Sequence, residues 1–312
     1  MAGIRMLVVV LVAAVSVLAG AGSASASTLF RTFVAPVTGS DANDCSRAAP
    51  CSTLQRAVNQ LQAHGTVTVL ESGVLGQGAT ITKAVTVNVP AGIDAGLSRS
   101  TGTLLLVSAP SDAIVTINGM SFDGHGSAQY GIHYTSGLAL FLNRVQITDF
   151  GANSDGVFED AGAVNVHLKV SLDDSFIAGA TFGVDAEGFG STSTAFLSID
   201  HSRLRGNGSE VVVEGTARAL IANAVLAGNG VGFGLLVRTG AATATIVGSM
   251  ISDNNFGIGT EGTKIYVSRC MIAGNNTGLD VSAGGLIYTG GDNVLIGNGT
   301  DGSFNGGPIP LR

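Results

Sequence analysis

The sequence predicts an all-β solenoid, in which one chain winds through stacked coils of short strands. Of its 312 residues, 46 are glycine, 45% are apolar and only 12% are charged. Glycine, asparagine and aspartate recur between short runs of valine, isoleucine and leucine, which is typical of short strands separated by turns. A six-residue pattern also repeats along most of the chain, and such a repeat indicates stacked coils.

The repeat has an apolar residue at each end and usually a small residue in fourth place. Its copies are INGMSF (117–122), LNRVQI (142–147), LDDSFI (172–177), IDHSRL (199–204), IANAVL (221–226), IVGSMI (246–251) and VSRCMI (267–272), with a weaker copy ending at Leu295. Five copies are followed by Gly-Asn or Asp-Asn, which predicts a repeated turn with left-handed backbone. Because no stretch between the copies has helical period, each coil should hold about three strands, as in a parallel β-helix.

The repeat register predicts which side chains point inward. The first positions should stack as one inward column, formed by Leu142, Leu172, Ile199, Ile221, Ile246 and Val267. The last positions should form a second column, with Ile147, Ile177, Leu204, Leu226, Ile251 and Ile272. Cys270 falls in the column of small residues between them, so we expect it to be a buried residue rather than a reactive one.

The amino terminus predicts export. Arg5, an apolar run from Leu7 to Ala21 and the small residues Ala24–Ala26 form a secretory signal over 1–26. The net charge of −7 argues against nucleic-acid binding, which needs a basic surface. No later apolar run reaches the length of a membrane-spanning helix. We therefore expect a secreted or periplasmic monomer with no membrane span once the signal is removed.

The segment after the signal predicts a cap on the first coil. Cys45 and Cys51 are expected to form a local disulfide in an oxidising compartment. Ser52–Ala63 has one apolar helical face, and Ser52 with Gln55 matches a capping box. The predicted layout is a signal at 1–26, a loop with the disulfide and a capping helix at 27–64, a β-helix at 65–298 and a tail at 299–312.

Residues 33–58, FVAPVTGSDANDCSRAAPCSTLQRAV, resemble the opening of secreted right-handed parallel β-helix proteins. In those proteins a Gly-x-Asp-x-Asn loop, here Gly39–Asn43, precedes an amphipathic capping helix. The ending at 291–302 is similar to that of bacterial β-helix repeat proteins with no assigned activity. The resemblance implies a single-stranded right-handed coil of the pectate-lyase-like superfamily. That superfamily includes lyases, hydrolases, epimerases, phage tailspikes and adhesins, so the fold does not select a function.

The catalytic motifs of polygalacturonases are matched only in part. Asn153–Gly156, Asp173-Asp174 and Gly124–Gly126 are similar to three of those motifs. However, Gly124–Gly126 comes first in this chain, whereas the family has it after the Asp pair, and no Arg-x-Lys follows. The register also places Asp155 and Asp173 on different faces of the coil. We therefore do not predict this activity.

The repeat register gives a better candidate site. An outward column should hold Asn118, Asn143, Asp173 and Asp200, and the next position, at a turn, should hold Arg144, Asp174 and His201. Two carboxylates about 5 Å apart on adjacent strands raise each other's pKa or share a cation. Calcium suits such oxygen ligands. Asp173 and Asp200 are thus candidate calcium ligands.

The same cluster predicts a chemistry. With calcium bridging a substrate uronate, Arg144 or His201 could act on the α-proton beside the carboxylates Asp173 and Asp200, as in a lyase. Asn143, Asp174 and Asn118 would contribute to binding. Two long turns, at 151–168 and 185–195, are expected to wall this site. The alternative is that these polar residues are only turn formers.

Three functions remain open on the sequence. The favoured one is extracytoplasmic binding of carbohydrate or a cell-surface glycan, without demonstrable catalysis. The second is a calcium-assisted polysaccharide lyase or epimerase acting on uronate-containing glycans, and the third is a structural surface or adhesin module. The aromatic content is low, with no tryptophan and 4 tyrosines. His125, His133 and His167 have no acidic partner at matching register and are expected to be solvated.

Overall fold

The computed structural model describes residues 29–162, 165–190 and 192–309. The predicted secretory signal lies outside these residues. The described chain is almost entirely β-structure, with one helix, α1 (Leu54–Gln60), and strands that we number β1 to β31 in chain order. All strand pairs are parallel and assemble into three sheets. No helix in the described ranges is long and apolar enough to cross a bilayer.

The 12-stranded sheet contains β1 (Leu29–Val34), β2 (Leu61–Val69), β5 (Val85–Asn88), β8 (Ile114–Asn118), β11 (Ala139–Asn143), β14 (His167–Asp173), β17 (Thr194–Asp200), β20 (Arg218–Ala222), β23 (Thr243–Val247), β26 (Lys264–Ser268), β29 (Leu286–Thr289) and β31 (Gly307–Pro308). The ten-stranded sheet contains β3 (Gly73–Val74), β6 (Ala95–Ser98), β9 (Ser121–Asp123), β12 (Gln146–Thr148), β15 (Phe176–Ile177), β18 (Arg203–Arg205), β21 (Val225–Ala227), β24 (Met250–Ser252), β27 (Met271–Ala273) and β30 (Val294–Ile296).

The nine-stranded sheet contains β4 (Ala79–Ile81), β7 (Thr103–Ser108), β10 (Tyr130–Ser136), β13 (Asp155–Ala161), β16 (Phe182–Gly188), β19 (Ser209–Gly215), β22 (Phe233–Arg238), β25 (Phe256–Glu261) and β28 (Thr277–Ser282). Each coil therefore gives one strand to each sheet, and about nine coils are stacked. The predicted all-β parallel solenoid is confirmed at this level.

The predicted inward columns are confirmed by the strand register. Leu142 pairs with Leu172, which pairs with Ile199, and the column continues to Val267. The column that ends the repeat runs in the same way from Ile147 to Ile272 and on to Leu295. Cys270 is buried, as predicted. Apolar side chains thus fill the space between the three sheets.

The repeated Gly-Asn turn has a second role that the sequence pattern did not predict. The first residue of each pair has positive φ, as at Gly228, Asp253 and Gly274. The asparagine that follows is buried at four of the five turns and bonds a neighbouring coil. Asn254 Nδ2, for example, donates to Asn275 Oδ1 at 3.1 Å and to the Leu226 carbonyl at 3.0 Å. Side chains at Asn207, Asn229, Asn254, Asn275 and Asn298 repeat this position along the solenoid.

The amino-terminal segment packs at one end of the coils. The chain contains the disulfide between Cys45 and Cys51. Helix α1 is shorter than the predicted Ser52–Ala63, and its N-cap is Thr53, whose side chain accepts from the Arg56 N–H. Ser52 instead donates its hydroxyl to Asp41, so it is not free to cap the helix. The helix ends early because Leu61 is already extended and begins β2.

The two predicted long turns are wrong. The range 151–168 contains β13 and the start of β14, and the range 185–195 contains the second half of β16 and the start of β17. Glycine and acidic residues suggested turns, but here they alternate with buried residues along regular strands. β13 and β16 carry most of the acidic side chains described below.

Candidate functional site

The predicted acidic column forms on the 12-stranded sheet. Asn118 pairs with Asn143, Asn143 with Asp173, and Asp173 with Asp200 on successive strands. The amide of Asn143 donates to Asn118 Oδ1 at 2.9 Å. Asp173, Asp200 and His201 bring one ligand atom each within 4.8 Å of one another, which is close enough to hold a cation. The register therefore brings these side chains together as the sequence predicts.

The Asp200 carboxylate already has several donors. Its Oδ1 accepts from Asn223 Nδ2 at 2.9 Å and from the His201 N–H at 3.0 Å, and it lies 3.1 Å from His201 Nδ1. These interactions, led by the Asn223 hydrogen bond, lower the pKa of Asp200. A carboxylate held in this way is a stable anion on an open surface rather than a proton donor.

Arg144, Asp174 and His201 occupy one repeated turn. Their φ values lie between 47° and 54°, in the left-handed region, and all three side chains are exposed. The backbone N–H groups of Arg144 and Asp174 bond the next coil, as in the 2.9 Å bond from Arg144 to the Asp173 carbonyl, whereas the N–H of His201 bonds the Asp200 side chain. Short polar residues adopt left-handed backbone at lower cost than most others. The turn thus gives a structural reason for the polar character of this position.

A second cluster, which the sequence analysis missed, lies on the outward face of the nine-stranded sheet. We call it the acidic–aromatic face and define it by Tyr130, His133, Asp155, Phe158, Asp160, Phe182, Asp185, Glu187, Glu214 and Arg238. One column runs Tyr130, Asp155, Phe182, and the next runs His133, Phe158, Asp185. A third column stacks Asp160, Glu187, Glu214 and Arg238 on four successive coils.

The aromatic members of this face contact one another. The rings of Tyr130 and Phe158 are stacked with centroids 5.3 Å apart, and His133 lies 4.8 Å from Tyr130 and 5.0 Å from Phe158. These three rings come from two neighbouring coils, β10 and β13. Together they form a continuous half-buried platform next to the carboxyl groups.

Burial changes the protonation of the acidic members. Asp185 is only 4% exposed, and burial together with neighbouring Asp155 raises its pKa to about 9. Burial also raises the pKa of Asp155 and of Glu187 to about 7, with Glu187 and Glu214 respectively adding repulsion. Glu214 forms an ion pair with Arg238. The face therefore carries neutral and ionised carboxyl groups side by side at neutral pH.

Asp185, Glu187 and Glu214 are also close enough to share a cation, with one carboxyl oxygen each within 4.8 Å of the others. Asp185 Oδ1 is buried without a hydrogen-bond partner. Two further groups have ligand atoms within 4.8 Å of one another. One is Asp123, His125 and Asp149, and the other is the predicted cluster of Asp173, Asp200 and His201. The last has one exposed member, His201, whereas the Asp185 group is mostly buried.

Glu159 of β13 faces the interior instead. Glu159 pairs in register with Tyr134 on one side and with Ala186 on the other, and it is fully buried. One of its oxygens accepts from the Phe196 N–H at 3.3 Å, while the other has no partner. Burial raises the pKa of Glu159 to about 8, so the group is largely protonated at pH 7.

Of the three histidines expected to be solvated, His125 and His167 are exposed, but His133 is half-buried, so the prediction is wrong for His133. His133 Nε2 lies 3.3 Å from Asp160 Oδ2, one coil further on. Phe158 is the register partner of His133, and Asp160 lies two residues further along the same strand. The imidazole of His133 reaches across that diagonal. The hydrogen bond from His133 lowers the pKa of Asp160.

Signals for the acidic–aromatic face were present in the sequence. Asn153–Gly156 is similar to a polygalacturonase motif, and its Asp155 is a member of the face. The prediction that Asp155 and Asp173 lie on different faces is confirmed, because they belong to different sheets. The pattern of β13 and β16 is typical of strands, because Phe158, Asp160 and Glu187 alternate with buried residues. The prediction of long turns over both ranges hid this alternation.

No protein-family model and no curated protein matches the chain. Among solved structures, it is similar to the GH136 lacto-N-biosidase from Eubacterium ramulus, with a TM-score of 0.57 and 10% identity over 90% of this chain and 68% of that chain. The enzymatically active domain of tailspike protein 2 of bacteriophage CBA120 gives a TM-score of 0.56 and 13% identity over 85% of this chain. The match covers 43% of the tailspike chain, which is less than half.

A pectate lyase, Pel9A, gives a TM-score of 0.50 with 15% identity over 83% of this chain and 67% of that chain. At these identities the similarities show the fold alone. They agree with the pectate-lyase-like parallel β-helix that the sequence predicts.

Proposed function

We propose that the chain is an extracytoplasmic carbohydrate-binding protein and that the acidic–aromatic face is its glycan-binding surface. The observation that carries the proposal is the aromatic platform of Tyr130, His133 and Phe158 beside the carboxyl groups of Asp155 and Asp185. Aromatic rings provide flat apolar area for the C–H face of a sugar ring. Carboxyl groups accept hydrogen bonds from hydroxyl groups, and protonated ones also donate.

Charge selects the kind of glycan. The column Asp160, Glu187 and Glu214 has one cation, Arg238, which is already paired with Glu214. A surface of this sign repels uronates and sulfates, attracts protonated amino sugars and does not oppose neutral sugars. We therefore propose neutral or amino-sugar oligosaccharides as the ligands of this face.

The test is calorimetric titration of the mature protein with a panel of neutral, amino and acidic oligosaccharides. We expect binding of neutral or amino sugars to weaken at least about tenfold in Phe158→Ala, the loss of one well-packed aromatic contact. Phe176→Ala is the matched control, since Phe176 is a half-buried aromatic on the ten-stranded sheet. Equal binding by Phe158→Ala and the parent, with both folded by circular dichroism, would place the ligand elsewhere.

One observation favours cleavage of the bound glycan as a second function. Asp185 stays protonated at neutral pH, and carboxyl oxygens of Glu187 and Glu214 lie within 4.8 Å of its own. Glycosidases use a protonated carboxyl group as the acid, and pairs separated by about 5 Å are typical of the retaining class. Asp185 would be the acid and Glu187 the nucleophile.

Cleavage is tested by measuring new reducing ends with the same panel. Asp185→Asn should abolish product while leaving oligosaccharide binding within about threefold, because the amide keeps the shape of the side chain. Absence of product from the parent with every ligand that binds leaves glycan binding as the function.

The predicted calcium-assisted lyase or epimerase remains a proposal for Asp173, Asp200, Arg144 and His201. Its test is mass spectrometry of products from uronate-containing glycans with and without calcium. Products lighter by one water than hydrolysis products, formed only with calcium and lost in Asp173→Asn, would support it. A structural or adhesin module, in contrast, would tolerate Asp173→Asn with Asp200→Asn and show no activity to lose.

Other parts of the sequence interpretation belong to the same proposal. Export of the chain, a right-handed coil and a monomeric state are expected of a secreted β-helix protein. We also propose that α1 caps the solenoid, which its packing against β1, β2 and β4 supports. Leu54→Asp would then expose the end of the core and lower the melting temperature.

A further inference from the structure

The outward face of the 12-stranded sheet carries cations in a regular column. Lys169, Phe196, Arg218, Thr243 and Lys264 pair in register on five successive strands, β14, β17, β20, β23 and β26. We call this set the cationic column. Its three charges fall on alternate coils. Because parallel strands are about 4.8 Å apart, neighbouring cations are separated by about 10 Å along the solenoid.

These three cations are free to meet a ligand. Lys169, Arg218 and Lys264 are all exposed, and none takes part in an ion pair among the described residues. Arg238 on the nine-stranded sheet shows the contrast, since Glu214 neutralises it. The nearest acidic column of the same sheet begins at Asp173, four residues beyond Lys169 and therefore about 13 Å along the strand.

Apolar side chains lie between or beside the charges. Phe196 is 41% exposed and Leu220 is 49% exposed. With Lys169 and Arg218 they line a shallow depression of about 300 Å³. Further along, Tyr266 lies two residues after Lys264 and stacks on Tyr288 with ring centroids 5.0 Å apart. The gap between Lys169 and Arg218 thus offers the ring of Phe196, on which a sugar can pack. Leu220 and Tyr266 lie beside Arg218 and Lys264, on the same strands as these cations.

We propose that the cationic column is a second binding surface, for a linear anionic glycan that lies along the solenoid axis. A carboxylate or sulfate group would pair with Lys169 or Arg218, while the C–H face of the same or the next sugar packs on Phe196. This surface is on a different sheet from the acidic–aromatic face and takes ligands of opposite charge.

The charge pattern favours a glycan over a nucleic acid. A nucleic-acid strand has a phosphate about every 3.4 Å, whereas the cations here recur about every 10 Å. The chain as a whole carries a net charge of −7, so a polymer of high charge density is repelled by the rest of the molecule. A glycan with one anionic group every second sugar suits the spacing better.

The experiment is affinity electrophoresis and calorimetric titration of the folded protein with two acidic glycans, hyaluronate, which has one carboxylate on every second sugar, and polygalacturonate. Neutral dextran and a single-stranded DNA oligonucleotide are the comparison polymers. The variant is Lys169→Gln with Arg218→Gln, and the matched control is Arg203→Gln with Arg205→Gln, which removes two exposed arginines from the ten-stranded sheet. We expect an acidic glycan to bind the parent and the control, and the variant to bind about five- to tenfold more weakly.

A second variant, Phe196→Ser, separates a built site from charge alone. Phe196→Ser should weaken binding of the acidic glycan although Lys169 and Arg218 are both still in place. Acidic-glycan binding that falls equally in Lys169→Gln with Arg218→Gln and in the control Arg203→Gln with Arg205→Gln would overturn the proposal, because it would show a diffuse charge effect. Preference for the oligonucleotide over both acidic glycans would also overturn it, as would absence of binding to either acidic glycan. Loss of neutral-sugar binding in Phe158→Ala is independent of these results.

Discussion

The interior carboxyl group of Glu159 is the most unusual single residue of the fold. It replaces an apolar side chain in a column that is otherwise filled by residues such as Val213 and Val237. With one oxygen unpartnered, the group is held in its neutral form by burial. The unfolded chain releases that proton at lower pH, so folding at pH 7 includes the free-energy cost of protonation.

Glu159→Gln should therefore stabilise the protein at pH 7. Glutamine keeps the oxygen that accepts from the Phe196 N–H and does not ionise. We expect the free energy of unfolding in urea to rise by about 3 kcal/mol, the cost at pH 7 of protonating a carboxyl group that ionises near pH 4 in the unfolded chain. Glu261→Gln, at an exposed position, is the control and should have little effect. No gain at pH 7 would mean that Glu159 is not held neutral.

At the scale of the element, the asparagine ladder and the left-handed turn hold successive coils in register. Asn254 donates to the Leu226 carbonyl and to Asn275, and Asn275 donates in the same way to a backbone carbonyl and to Asn298. A missing rung leaves buried polar groups without partners.

Asn254→Ala should lower the free energy of unfolding by about 1–3 kcal/mol, since it orphans groups of Asn229 and Leu226. The control is Asn276→Ala. Asn276 is exposed, follows the ladder residue Asn275, and its amide donates to Asn255 Oδ1 at 3.2 Å. We expect that control to cost less than about 0.5 kcal/mol. Equal losses of unfolding free energy in Asn254→Ala and Asn276→Ala, measured by chemical denaturation, would show that the buried asparagine contributes no more than the exposed one.

The turn at His201 separates a structural from a catalytic role. Its φ of 47° is tolerated by asparagine but costs a β-branched residue about 1–2 kcal/mol. His201→Asn should retain the parent melting temperature, and His201→Val should lower it. If a lyase activity is found, His201→Asn removes the imidazole without disturbing the turn. Activity that survives this change would rule out His201 as a catalytic residue.

The sequence was most informative where one residue type repeats at one position. Inward columns, the buried Cys270 and the register of Asp173 with Asp200 all followed from the six-residue pattern. The nine-stranded sheet has no such repeat, because its outward positions vary from Phe158 to Asp185 to Val212. Protonation of Asp185 also depends on burial by neighbouring coils, which no local pattern contains.

At the scale of the whole molecule, the raised carboxyl pKa values combine into one pH dependence. Asp155, Glu187 and Glu210 have pKa values of about 7, Glu159 about 8 and Asp185 about 9, in each case chiefly through burial. In the unfolded chain these groups lose their protons near pH 4. Between pH 4 and 9 the folded protein therefore binds more protons than the unfolded chain, and stability falls as pH rises.

We expect the free energy of unfolding to be greatest near pH 5 and smallest near pH 9. Urea denaturation at pH 5, 7 and 9 measures this directly. A double variant, Glu159→Gln with Asp185→Asn, should flatten the profile, because it removes the two groups with the highest carboxyl pKa values. A parent protein that is more stable at pH 9 than at pH 5 would contradict the assigned protonation states.

The cationic column and the acidic–aromatic face lie on different sheets of the same coils, and this separation gives the molecule an electric dipole across its axis. Lys169 to Lys264 form the positive side, and Asp160 to Glu214 form the negative side. A dipole of this direction turns the solenoid about its long axis as it approaches a charged wall or matrix. On an anionic surface the chain would lie flat with the positive side down, leaving the acidic–aromatic face directed outward.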